Sequence, residues 1–179
     1  MSSLVIALVS VMVILVAMTG LVTGYTGPQA QIGETVKETT SLYGEVTRTA
    51  LTSLDVTVTS GVAGNFADWS VRNDGQTELR EFAKWDVIII YQDEPGAGLV
   101  VQRLAYSATD PPGVGNWTVS GIYQDAETLT PEVYDPGILN PGEEIVISAQ
   151  LSPAVAEGTV NRITLAVANG VRVTAQFVN

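Results

Sequence analysis

The chain has 179 residues, with 19 Asp and Glu against 8 Lys and Arg, a formal net charge of −11. So acidic a surface repels phosphate backbones, which excludes nucleic acid as a partner. Cysteine and histidine are both absent, which rules out disulfides, thiolate chemistry and Cys/His zinc sites.

From Met1 to Gly33 no residue is charged; Glu34 is the first. Leu4, Val5, Ile6, Leu8, Val9, Val11, Met12, Val13, Ile14, Leu15, Val16, Met18, Leu21 and Val22 form a run close to the ~20 residues of a bilayer span. Such a helix cannot rest against water and needs lipid or other chains around it. Three readings follow. A cleaved secretory signal needs a basic leader, and nothing basic precedes Leu4. A permanent anchor takes its orientation from flanking Lys or Arg, and the first is Lys37. The third is an assembly helix that waits in the membrane and then packs against copies of itself. Ser10, Ala17, Gly20 and the pair Gly20/Gly24 supply small positions that let backbones approach.

Beyond Gly27-Pro28, where a kink is expected, Ile32, Val36, Tyr43, Val46, Ala50 and Leu54 recur at helical spacing among charged residues. Residues 1–53 therefore read as one kinked rod of ~80 Å. Residues 54–179 read as a separate outer domain.

From Leu54 the period changes to two. Strands are expected at 54–59, 66–72, 85–91, 99–106, 117–123, 145–151, 160–168 and 171–178, separated by Gly, Pro, Asn and Asp clusters. Asn169-Gly170 predicts a type I′ hairpin turn. Val87-Ile88-Ile89-Ile90, apolar on both faces, predicts a central strand. The fold class is α+β, a long N-terminal hydrophobic helix followed by an antiparallel immunoglobulin-like β-sandwich.

Chemistry is sparse. No catalytic residue, cofactor or metal ligand set is expected. A serine nucleophile would have only Lys37 or Lys84 as base. The carboxylate pairs Asp93/Glu94, Asp125/Glu127, Glu132/Asp135 and Glu143/Glu144 suit glycosidase chemistry or calcium in principle, but read first as solvated loops. Trp69, Trp85 and Trp117 read as core. Asn116-Trp117-Thr118 is an N-glycosylation sequon, making Asn116 the candidate for a covalent glycan.

The chain resembles the archaellins, filament subunits of the archaeal swimming organelle. The uncharged N-terminal run is similar to a type IV pilin-like helix, with Val5 where most bacterial pilins carry glutamate. Further similarity lies in Val71-Arg72-Asn73-Asp74-Gly75, Leu79 through Phe82 to Trp85-Asp86-Val87, Leu139-Asn140-Pro141-Gly142-Glu143, Pro153-Ala154-Val155 to Gly158-Thr159 and Ala168-Asn169-Gly170-Val171. The resemblance implies a leader cut by a prepilin-type peptidase, passage through the membrane, then self-assembly into an extracellular filament, alone or with paralogous subunits. A membrane motor with its own ATPase would turn it, leaving this chain no catalysis. Archaellins tend to open with a Gly-Ile-Gly-type stretch, whereas here Met1-Ser2-Ser3-Leu4 stands. The sandwich motifs are also similar to accessory archaellum proteins that stay in the envelope and grip the surface layer. A stator-like role and an adhesive pilin are therefore the nearby alternatives. An anchored carbohydrate-binding domain is the distant one.

Overall fold

The computed structural model describes residues 2–61, 64–94, 98–132 and 135–179, without the side chains at 2, 4, 21–33, 60, 61 and 64. The chain forms two compact units, Met1–Gly44 and Glu45–Asn179.

The first unit is helical. Helix α1 runs from Ser2 to Arg48 without a break in its assignment, Gly27 and Pro28 included. Its last turn belongs to the second unit. It ends at Arg48, and strand β1 begins at Leu51, ahead of the change of period expected at Leu54. Ala50 and Leu54 are therefore outside the helical stripe. Leu51, Val56 and Val58 of β1 pack against the core instead.

In the second unit the strands are β1 (Leu51–Gly61), β2 (Gly64–Asn73), β3 (Asp86–Gln92), β4 (Leu99–Tyr106), β5 (Asn116–Asp125), β6 (Thr130–Pro131), β7 (Glu144–Leu151), β8 (Val160–Ala166) and β9 (Arg172–Val178). The order across the sheet is β1-β2-β7-β5-β4-β3-β8-β9, with β6 beside β5. All ladders are antiparallel except β4–β5, a parallel pair of two residues, Ala105↔Asn116 and Tyr106↔Trp117. That short corner divides the sheet into two layers, β1-β2-β7-β5 and β4-β3-β8-β9, which face each other as a sandwich.

The core lies between the layers. Trp69, Val71, Ile145, Ile147 and Trp117 come from one side and Val87, Ile89, Tyr91, Ile163 and Leu165 from the other; all have 0% exposure. Alternation along each strand explains this, because inward residues recur every second position. Trp69 donates its Nε1–H to Ser53 Oγ at 2.9 Å, and Trp85 donates to the Arg80 carbonyl at 3.1 Å. Each buried indole of these two keeps a partner for its polar edge.

One local expectation fails for a physical reason. Gly170 alone takes positive φ (86°) in the last hairpin, while Asn169 stays out of the left-handed region. The turn closes with Gly170 N–H donating to Val167 O at 2.8 Å, the geometry of a type I turn followed by a left-handed glycine, in place of type I′. Strand β3 lies between β4 and β8, as expected of a central strand, with one face buried and the other partly exposed. Ile88 is 38% exposed and Ile90 half-buried, against 0% for Val87 and Ile89.

Candidate functional site

Among the described residues, the helix carries a long run of uncovered apolar side chains. Val5, Ile6, Leu8, Val9, Val11, Met12, Val13, Ile14, Leu15, Val16 and Met18 are each at least 54% exposed. The exposure is on every side. Val9, Met12, Val13 and Val16 form one apolar trough, and Ala7, Leu8, Val11 and Leu15 form the adjoining one. An all-round apolar helix requires an apolar surrounding rather than a single groove. Leu4, Leu21, Val22, Gly24, Gly27 and Pro28 fall among the side chains outside the description. Beside Gly20 the space is open, and an added Cβ would meet no heavy atom within 4 Å. Among the described residues, no helix is long and apolar enough to cross a membrane.

Serine and threonine on this helix bond inward to its own backbone. Ser10 Oγ donates to Ile6 O at 2.9 Å and Thr19 Oγ1 to Leu15 O at 2.8 Å. Back-bonding of this kind removes polar hydrogens from the surface, so even the hydroxyl positions present mostly carbon.

Three of the motifs read from the sequence converge at one end of the β domain. Asn73 is fully buried. Its Nδ2 donates to Thr77 O at 2.8 Å and Leu139 O at 3.1 Å, while its Oδ1 accepts from Gly75 N at 3.1 Å. Its backbone N–H reaches Glu143 O, and its carbonyl accepts from Gly142 N. One asparagine thereby ties the Asn-Asp-Gly turn to the Asn-Pro-Gly turn. Asn169 of the last hairpin donates through Nδ2 to Thr49 Oγ1 at 2.8 Å, and Thr49 Oγ1 donates to Glu45 O.

The same end receives the final helical turn, Glu45–Arg48. A helix leaves its last carbonyls without intrahelical partners. Here Gln76 N donates to Arg48 O at 2.7 Å and Thr77 Oγ1 to Glu45 O. Gly75 makes the approach possible, since a Cβ there would stand 2.5 Å from Arg48 O and 2.6 Å from Ala50 N. Sequence reasoning read these asparagines and glycines as separate turn residues. Nothing in their spacing says that they meet around Thr49.

The carboxylate pairs do not gather as chemistry would need. Asp93 Oδ1 accepts from Gly98 N, Asp125 Oδ1 from Thr128 N, Glu143 Oε2 from Asn140 N and Glu144 Oε2 from Ala126 N. Each of these four holds a turn or loop. The hydrogen bonds from Thr128 keep the Asp125 carboxyl below the usual range, and that from Arg72 does the same for Asp74. Burial, with the Glu143 charge nearby, pushes Glu132 up. Among the described residues, no three acidic side chains come close enough to hold a metal ion. Asn116 is half-buried at the start of β5, and Thr118, the third sequon residue, is 2% exposed.

No protein-family model matches the chain, and no curated protein sequence matches it. Solved structures do. The archaeal flagellum of Methanospirillum hungatei strain JF1 is similar over 95% of this chain and 89% of its own, at TM-score 0.59 and 9% identity. The archaellum periplasmic stator protein FlaG from Sulfolobus acidocaldarius is matched over 72% of this chain and 99% of its own, at TM-score 0.49 and 21% identity. The FlaF and FlaG stator complex of the same organism gives TM-score 0.48 and 19% identity over 71% of this chain and 87% of that one. The chain has an archaellum-type fold, a helix followed by a largely antiparallel β-sandwich.

Proposed function

We propose that this chain is a non-catalytic structural component of an archaellum, held in place by its N-terminal helix, with the β domain working outside the cytoplasm. The observation that carries this reading is the contrast within one chain. The β domain closes its core with its own side chains, while the helix from Val5 to Met18 is apolar all round and needs a cover from elsewhere.

Within that organelle the reading placed first is an accessory, envelope-held protein of the stator kind. The similarity of the sandwich motifs, Val71 to Gly75 and Leu139 to Glu143 among them, to accessory archaellum proteins supports it. The second reading is a filament subunit. One observation favours it, the fold likeness to the Methanospirillum hungatei flagellum, which extends over 95% of the chain. An N-glycan on Asn116 fits either role; with Thr118 buried in the folded domain, attachment would have to come before β5 is in place.

Cell fractionation with electron microscopy of sheared surface material separates the two. An accessory protein stays with the envelope in low copy after shearing. A filament subunit appears as the main protein of the sheared polymers, with N-terminal sequencing identifying it there. A soluble cytoplasmic monomer would overturn both.

A further inference from the structure

The two outer faces of the sandwich carry opposite charge. Outward positions on β4-β3-β8-β9 include Arg103, Arg162 and Arg172 against one acid, Asp86, which is paired with Arg103. Arg162 and Arg172 are exposed and form no salt bridge among the described residues. Around them the face mixes apolar side chains with the hydrogen-bonded pair Thr164 and Thr174. Ile88, Val101 and Val178 are exposed, and Ile90 lies opposite both Val101 and Arg162 in the ladders. In a chain with only 8 basic residues, three on one sheet face is a concentration.

The outward face of β1-β2-β7-β5 is the reverse. Leu54, Asp55, Arg72, Asp125, Glu127 and Glu144 line a shallow hollow of 670 Å³. Four carboxylates thus stand around one arginine, and that arginine is already engaged by Asp74 at 2.6 Å. The hollow is too wide for a metal ion to be held by three of these acids. Guanidinium groups suit such a width, since each is planar and bonds carboxylates through two N–H groups at once.

We propose that the arginine-bearing face of one copy docks on the acidic hollow of a second copy of this chain. The two faces point away from each other in a two-layer sandwich, so no copy satisfies its own hollow. A symmetric pair using one face twice would set arginine against arginine or acid against acid. Head-to-tail contact puts opposite charges together, and such contacts propagate into rings or rows. The size of the face sets the strength. Four strands spaced ~4.8 Å apart and about 22 Å long offer on the order of 400 Å², roughly half of the ~800 Å² per partner in stable complexes. The contact is therefore weak alone. It becomes populated where helices already hold copies side by side, by the effective-concentration argument.

The test uses the full chain, whose lack of cysteine makes introduced thiols unambiguous. Gln176→Cys stands opposite Arg162 in the β8–β9 ladder, and Leu54→Cys lines the hollow. Both single variants, mixed and reconstituted with neutral phosphatidylcholine vesicles, are oxidised and run on a non-reducing gel. Cross-linking is scored in whichever fraction holds the protein, vesicle-bound or not. The mixture should give about tenfold more dimer than either variant alone or than Gln176→Cys with Ala108→Cys, an exposed loop control. Adding Arg162→Glu and Arg172→Glu should abolish the excess, and reversing Asp55 and Glu127 to lysine in the same chain should restore it. Equal cross-linking to the control, or self-linking of Gln176→Cys, overturns the docking. Flotation with the vesicles reports separately on whether the helix holds the chain at a membrane, so the two conclusions can fail independently.

Discussion

The two units of this chain treat their apolar residues in opposite ways. In Glu45–Asn179 they alternate with polar ones and disappear between two sheets, leaving Trp69, Trp117 and Tyr91 fully buried. In the first part of Met1–Gly44 they crowd together with no polar face, and every described aliphatic side chain from Val5 to Met18 meets solvent. A domain that satisfies itself and a helix that does not are built for different surroundings. The helix is where the chain's need for company resides, and the β domain is what that company displays.

The strongest way to break the comparison is to charge the helix. Val9→Asp or Val13→Lys places an ion in the middle of the apolar run, at a cost of about 2.5–3.5 kcal/mol for a helix in a lipid-like setting. Both variants should lose sedimentable assembly and envelope retention, while the β domain keeps its far-UV circular dichroism signature. Should either variant assemble or fractionate as the parent does, the helix is not what holds the protein in place.

A smaller effect sharpens the other side. Asn73→Ala removes a fully buried side chain that serves two carbonyls and one N–H. Leu139 O retains the backbone N–H of Leu79, whereas Thr77 O and Gly75 N lose the bonds that Asn73 gave them. At about 1–3 kcal/mol for each group left unsatisfied, a loss of roughly 2–6 kcal/mol is expected in urea unfolding. Assembly through the helix should survive at low temperature. A change below 1 kcal/mol would mean that the convergence of turns around Asn73 is incidental.

Much of this was legible in the sequence, and the gaps have causes. The change from an uncharged run to period-two alternation located the helix and eight of the strands, because each depends on neighbours within a few residues. Strand β6 escaped, since Thr130–Pro131 is too short to show alternation and contains the residue that strands avoid. The parallel corner between β4 and β5 escaped as well. Asp110 to Gly115 reads as an ordinary turn between neighbours, and only the folded chain shows the strands running the same way. Charge separation between the outer faces was also unreadable. It depends on β2 meeting β7 and β3 meeting β8, pairings between strands far apart in the chain. The asparagine network at Thr49 has the same origin.

The smallest expected effect concerns Glu132, just past β6. One of its oxygens is buried without a hydrogen-bond partner among the described residues. Burial raises its carboxyl above the usual range, with help from the Glu143 charge and against the N–H of Gly137. A raised acid favours the folded state in its protonated form. Its contribution is therefore full below the ordinary glutamate value and is lost as pH climbs through the folded value. At neutral pH the charged group is a standing cost. Asp74 and Asp125 work in the other sense, their lowered carboxyls stabilising the fold above the ordinary aspartate range and ceasing to do so as pH falls. Glu132→Gln keeps an oxygen for Gly137 and carries no charge. It should raise the melting temperature by about 1–2 °C at pH 7, with the gain over the parent shrinking toward zero as the solution is acidified through the glutamate range. The acid-side loss attributed to Asp74 and Asp125 should stay the same in both proteins. A gain that persists undiminished at low pH would trace the effect to packing, and Glu132 would then be no more than a neighbour of the Asn140-Pro141-Gly142 turn.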